Sequence, residues 1–147
     1  MVTTACSAGD DGSGPAVPSP SGKAAAMCRE LHGLLPEKVD GNERGGTGPK
    51  SRYTAVWGDP SIELRCGVPR PAKLTPGGPD YDPTSDAVEI NGVSWLMEER
   101  DGGGYRFTTT DRAAYAELTV PEEYAPEVNA LTDLSDAVTE ALPKRSG

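Results

Sequence analysis

Apolar residues recur along this chain at two spacings. Ala24, Met27, Cys28, Leu31 and Leu35 follow one another at three- and four-residue steps. That period predicts a helix over residues 24–34, with Gly33 and Pro36 marking its end. Residues 37–50 are polar and glycine-rich, hence a loop. The step then changes to two. Tyr53, Ala55 and Trp57 share one side of a strand over residues 51–57, and Gly58-Asp59-Pro60 is a turn signal. Over residues 62–68, Ile62, Leu64, Cys66 and Val68 face one way, and Glu63 and Arg65 face the other. The two runs predict an antiparallel hairpin with one buried side.

Residues 69–85 form an excursion rich in Pro, Gly and Asp. A second hairpin follows: Val88-Glu89-Ile90, the turn pair Asn91-Gly92, then residues 93–97. Asn-Gly tolerates the positive φ of a tight type I′ turn. Two further strands are expected over residues 105–109 and 114–120, the second stopped by Pro121. Val128, Leu131, Leu134, Val138, Ala141 and Leu142 then form the stripe of a final helix over residues 126–142. The expected fold class is α+β: an antiparallel sheet of five to six strands with an N-terminal and a C-terminal helix packed on one face. The other face is left to solvent or to a partner.

The chain has 147 residues. Residues 1–23 read as a flexible Ser/Gly/Pro tether and residues 24–147 as one domain, since about 120 residues suit a single core. With 23 acids against 14 bases the net charge is −9. That excludes nucleic acid, whose binding needs clustered Lys and Arg, and disfavours lying flat on an anionic lipid surface. From residue 113 to 143 there are seven acids and no base, which reads as a solvated face or as a docking face for a basic partner. No apolar run approaches the ~18 residues of a membrane span.

The start, Thr3-Thr4-Ala5-Cys6, looks like the cleavage end of a bacterial lipoprotein signal. Ala5 suits a signal peptidase pocket, and Cys6 would be the lipid-bearing residue. Only five residues precede Cys6, and Thr3 stands where such signals carry an apolar residue. A diacylglyceryl group gives two chains, enough for stable anchoring. About 17 residues of tether would reach on the order of 20–25 Å. The expected location is therefore the outer face of the cytoplasmic membrane.

With Cys6 assigned to lipid, Cys28 and Cys66 remain as an even pair. One lies on the helix stripe and the other on the apolar strand face, so packing the helix on the sheet points both sulfurs inward. Outside the cytoplasm this spacing reads as a disulfide. Two other readings use the only histidine. Cys28, His32 and Cys66 would supply three zinc ligands, and Cys28 with His32 would form a nucleophile–base pair. No Gly-x-Ser-x-Gly elbow, phosphate loop or dinucleotide fingerprint occurs, so no catalytic residue, metal or cofactor is assigned.

Several stretches resemble one family: Cys28-Arg29-Glu30-Leu31 with Leu34-Leu35-Pro36, Trp57-Gly58-Asp59-Pro60, Ile62-Glu63-Leu64-Arg65-Cys66-Gly67-Val68, Gly92-Val93-Ser94-Trp95, and the ending Val120-Pro121, Tyr124 and residues 131–143. The chain is similar over residues 28–143 to an actinobacterial domain-of-unknown-function family, numbered thirty-five fifteen, of small exported or membrane-anchored proteins. The resemblance implies an envelope location, a paired Cys28 and Cys66, and no assigned activity. Within it, Trp57 and Trp95 are candidates for an aromatic platform or for core. Asp59 is a turn residue or a binding residue. Arg65 is a ligand contact or half of a cross-strand ion pair. The expected function is a non-enzymatic, lipid-tethered envelope protein that binds an envelope protein or wall component. The alternative is a cell-wall, thiol-active or metal enzyme centred on Cys28, His32 and Cys66.

Overall fold

The computed structural model describes residues 14–45 and 51–145. Cys6 lies outside them. Helix α1 spans Gly22–Leu34 and buries Ala25, Cys28 and Leu31, one residue every third position. It stops because Pro36 disfavours helical backbone in the residue before it; Leu35 is extended, at φ −67° and ψ 141°. A small hairpin follows, β1 (Lys38–Val39) and β2 (Asn42–Glu43), where the hydropathy pattern predicts only loop. Its turn is Asp40-Gly41, with φ of 50° and 78°. Both central residues carry positive φ, as a type I′ turn requires.

The main sheet holds six strands: β3 (Thr54–Trp57), β4 (Ile62–Cys66), β5 (Ala87–Ile90), β6 (Val93–Glu99), β7 (Tyr105–Thr109) and β8 (Ala116–Val120). Their order is β3-β4-β8-β7-β6-β5, and every pair is antiparallel. This α+β architecture is the expected one. The chain leaves β4, crosses to the far edge, and returns strand by strand through β5, β6, β7 and β8. The two hairpins lie where the turn signals place them. Asn91 adopts φ 50° and Gly92 φ 88° at the β5–β6 turn.

The predicted C-terminal helix is instead two short ones, α2 (Asn129–Thr132) and α3 (Ser135–Ala141). The apolar stripe runs through both; the break lies in the hydrogen bonding. The Leu131 carbonyl accepts from Leu134 N at 3.2 Å and lies 2.9 Å from Ser135 Oγ, which is also 3.0 Å from Ile90 O. A side-chain hydroxyl thus takes part in place of the regular ladder. No helix among the described residues is long and apolar enough to cross a membrane.

α1, α2 and α3 cover one face of the sheet. Cys28, Leu31, Leu131, Leu134, Val138 and Leu142 pack there with Trp57, Ile62, Leu64, Trp95, Phe107, Leu118 and Val120 in one core. The opposite face is not open, contrary to the sequence expectation. β4 and β5 run in the same direction with three strands between them, so residues 67–86 must cross a face of the sheet. They cross the one opposite the helices. Leu96 and Thr108, which point to that side, are each 1% exposed.

Gly14 to Pro20, read from composition as free tether, also packs on the body. Pro15 and Pro18 are buried, and the Ala16 carbonyl accepts from Arg65 Nε at 2.9 Å. Gly67, at φ +96°, lets Pro20 approach so closely that a Cβ there would lie 2.5 Å from the proline ring.

Candidate functional site

The crossing segment turns the second sheet face into a groove. Residues 67–86 contain one 3-10 turn, Ala72–Leu74, and no strand or α-helix. A connection this long inside a compact domain is unusual and is more often kept for binding than for joining. Two hollows lie beneath it. One, of about 280 Å³, is lined by Arg70, Lys73, Pro76, Tyr81, Leu96 and Thr110 among others. The second, of about 190 Å³, is lined by Arg65, Pro69, Glu98, Arg106, Thr108 and Glu117 among others.

Charges between the hollows are paired across strands. Arg65 stands opposite Glu117 in the β4–β8 register, with Nη1 3.0 Å from Oε1. Glu98 stands opposite Arg106 in β6–β7, at 3.4 Å, and also meets Lys73 Nζ of the crossing segment at 3.9 Å. Strand partners directly opposite one another share a face, which brings these pairs together. Each exposed pair is worth about 0–1 kcal/mol; their main effect is to fix which charges the groove presents. Beside them, burial holds the Glu63 carboxyl above the ordinary carboxylate range, partly offset by Arg100 and Arg65.

The cysteines meet as the helix and strand patterns predict. Cys28 of α1 and Cys66 of β4 form a disulfide with Cα atoms 5.5 Å apart, and both are buried. While the bond is intact neither sulfur is a thiolate, so neither attacks a substrate nor ligates a metal. Among the described residues no group of three His, Cys, Asp or Glu side chains is placed to hold a metal ion.

His32 lies beside the disulfide but is engaged elsewhere. Its Nε2 is 3.1 Å from Arg44 Nη2. Partial burial lowers its pKa, and the charges of Arg44 and Arg52 lower it further; a backbone hydrogen bond to Thr54 acts the other way. The folded protein therefore binds a proton at His32 less readily than the unfolded chain does. Stability from this residue is present above the ordinary imidazole pKa near 6.5 and is lost as pH falls below it. The urea midpoint is expected to fall below pH 6.5 in the native protein and to fall less in His32→Gln. Parallel pH profiles for the two would contradict the assignment.

Of the other candidates, Trp57 and Trp95 are both fully buried, so neither presents a ring to a ligand. Trp57 Nε1 donates to Pro36 O at 3.1 Å, while Trp95 Nε1 has no hydrogen-bond partner among the described residues. They are core because their strand positions face the helices. Asp59 sits in the β3–β4 turn, where Tyr124 Oη donates to the Pro60 carbonyl at 2.6 Å. Arg65 is the one candidate that lines the groove, and it does so as half of an ion pair.

Arg112 is a buried charge that the sequence does not mark. Its side chain is 3% exposed, with Nη1 donating to Leu142 O at 3.0 Å and Nη2 to Gly92 O at 2.9 Å. A charged residue next to Asp111 in a short inter-strand segment carries no pattern that predicts burial.

The chain matches one family model over residues 2–147; it is described as a protein of unknown function (DUF3515). No curated protein and no solved structure matches.

Proposed function

Since this chain belongs to DUF3515, a family with no assigned activity, we propose that it is a non-enzymatic cell-envelope protein, lipid-tethered through Cys6 outside the cytoplasmic membrane. In this reading the groove on the second sheet face binds an envelope protein or wall component. The observation that carries the proposal is the buried Cys28–Cys66 disulfide. Such bonds form and persist in oxidising compartments and are rare where thiols are kept reduced. The same bond weighs against a thiol or zinc site built on Cys28, His32 and Cys66. The groove supports a binding role because the crossing segment places Tyr81, several prolines and paired charges over a sheet face that the helices leave free.

The test is lipid labelling in the source organism. Protein made from its own gene is expected to take up labelled fatty acid and to sediment with membranes. Cys6→Ser should lose the label and pass to the soluble fraction. If both forms fractionate alike and neither is labelled, the tethered reading fails.

A further inference from the structure

Arg29 and His32 stand three residues apart on α1, and two further arginines flank them from the β1–β2 hairpin and the approach to β3. Arg29 comes from α1, Arg44 from the residue after β2, and Arg52 from the approach to β3. Arg44 is held on two sides: His32 Nε2 is 3.1 Å from its Nη2, and its guanidinium carbon lies 5.6 Å from the centre of the Trp57 ring. Arg29 Nη1 donates to Tyr53 Oη at 3.3 Å. Arg52 lines the same small hollow as His32 and Tyr53, and its charge acts on the imidazole.

Among the described residues no acid pairs with these arginines within 4.0 Å; the ion pairs there involve Arg65, Lys73 and Arg106. Glu30, Glu37 and Glu43, the nearest acids in sequence, pair with none of them. In a protein with 23 acids and 14 bases, that grouping runs against the overall balance. The global charge keeps anionic surfaces away on average, but a local cluster acts within a Debye length of about 8–10 Å.

We propose that Arg29, His32, Arg44 and Arg52 form an oxyanion site that takes a phosphate group. Arg44 is the fixed anchor, because its guanidinium rests against the buried Trp57 ring whatever the protonation of His32. Arg29 and Arg52 are exposed arms that close on the ligand. The guanidinium fork matches the spacing of phosphate oxygens and binds them through two parallel hydrogen bonds. The phosphate group belongs either to a free phosphate ester or to a phospholipid headgroup. This inference goes beyond the envelope reading and does not depend on where the protein resides.

A bound anion beside His32 favours the imidazolium. By reciprocity the site tightens as pH falls through the imidazole range, and phosphate raises the His32 midpoint. Arg44 and Arg52 are the charged groups that act on the ring from the neighbouring elements. With one histidine in the chain, its proton NMR signal reports the site without ambiguity.

The experiment titrates His32 in the full chain, in sodium phosphate and in sodium chloride at equal ionic strength. The midpoint is expected to be higher in phosphate by roughly one unit, the size of shift a close opposite charge produces. Arg52→Gln, an exposed substitution, should cut that difference by half or more. Equal midpoints in the two salts would overturn the proposal, and so would a difference that survives in Arg29→Gln/Arg52→Gln. Sedimentation with phosphatidylglycerol vesicles, against phosphatidylcholine vesicles, then separates the sources. Retention on the anionic vesicles alone assigns the headgroup; a phosphate-dependent shift without retention assigns a free ester.

Discussion

Replacing Cys28 and Cys66 together with alanine is expected to lower the free energy of unfolding by about 4 kcal/mol. The bond closes a loop of 38 residues. In the chain-entropy model, such a cross-link removes roughly that much freedom from the unfolded ensemble. The whole stability of a domain this size is about 5–15 kcal/mol, so the reduced protein should sit near the edge of folding at physiological temperature. Both side chains are buried, so alanine also leaves small voids that add to the cost. Urea unfolding with and without dithiothreitol checks the prediction. Reductant should lower the midpoint of the native protein and leave that of the double variant unchanged. A native midpoint insensitive to complete reduction would show that the bond contributes little.

Arg112→Met should destabilise the protein by about 3–5 kcal/mol, although the replacement is similar in length and more apolar. The guanidinium donates to two carbonyls, Leu142 at the end of α3 and Gly92 in the β5–β6 turn. Charge-assisted bonds of this kind contribute about 1.5–3 kcal/mol each, and methionine leaves both acceptors without their donor. Next to it, the backbone pairs Ala113 N with Pro143 O at 2.8 Å and Arg145 N with Asp111 O at 2.8 Å. Loosening one side therefore loosens the C-terminal segment as well. Arg112→Lys keeps the charge but cannot span both carbonyls, and should recover only part of the loss. Urea midpoints for the three proteins provide the measurement, and hydrogen exchange at Ala113 and Arg145 locates the change. A methionine variant within about 0.5 kcal/mol of native, the range of an ordinary surface change, would show that Arg112 is not a structural pin.

The sheet was legible wherever one face is buried and the other wet. Ile62, Leu64 and Cys66 alternate with Glu63 and Arg65, and β4 runs from Ile62 to Cys66. Asn91-Gly92 marked the β5–β6 turn, and the cysteine faces marked the disulfide. Alternation fails where both faces are covered. Thr54, Ala55, Val56 and Trp57 are all buried, and so are Trp95 and Leu96 in succession. Two adjacent apolar residues in a strand were the available sign that something lies over the second face. What covers it could not be read, because the crossing segment is shaped by long-range contacts and has no period of its own.

The β1–β2 hairpin was readable in principle from Asp40-Gly41, the same kind of turn pair as Asn91-Gly92. Its two-residue strands are too short to show alternation. The basic cluster was hidden for a different reason. Arg29, Arg44 and Arg52 are separated along the chain, and only the fold brings Arg44 to His32 and Arg29 to Tyr53.

Tying residue 28 to residue 66 also makes β1, β2, β3 and β4 part of a covalent ring. A protease that cuts once inside that ring opens the backbone without separating the pieces. On a non-reducing gel the nicked protein would migrate as a single chain, and it would fall into two fragments only after reduction. Digests of this protein therefore need to be run both ways before any resistance to cleavage in that stretch is taken as rigidity.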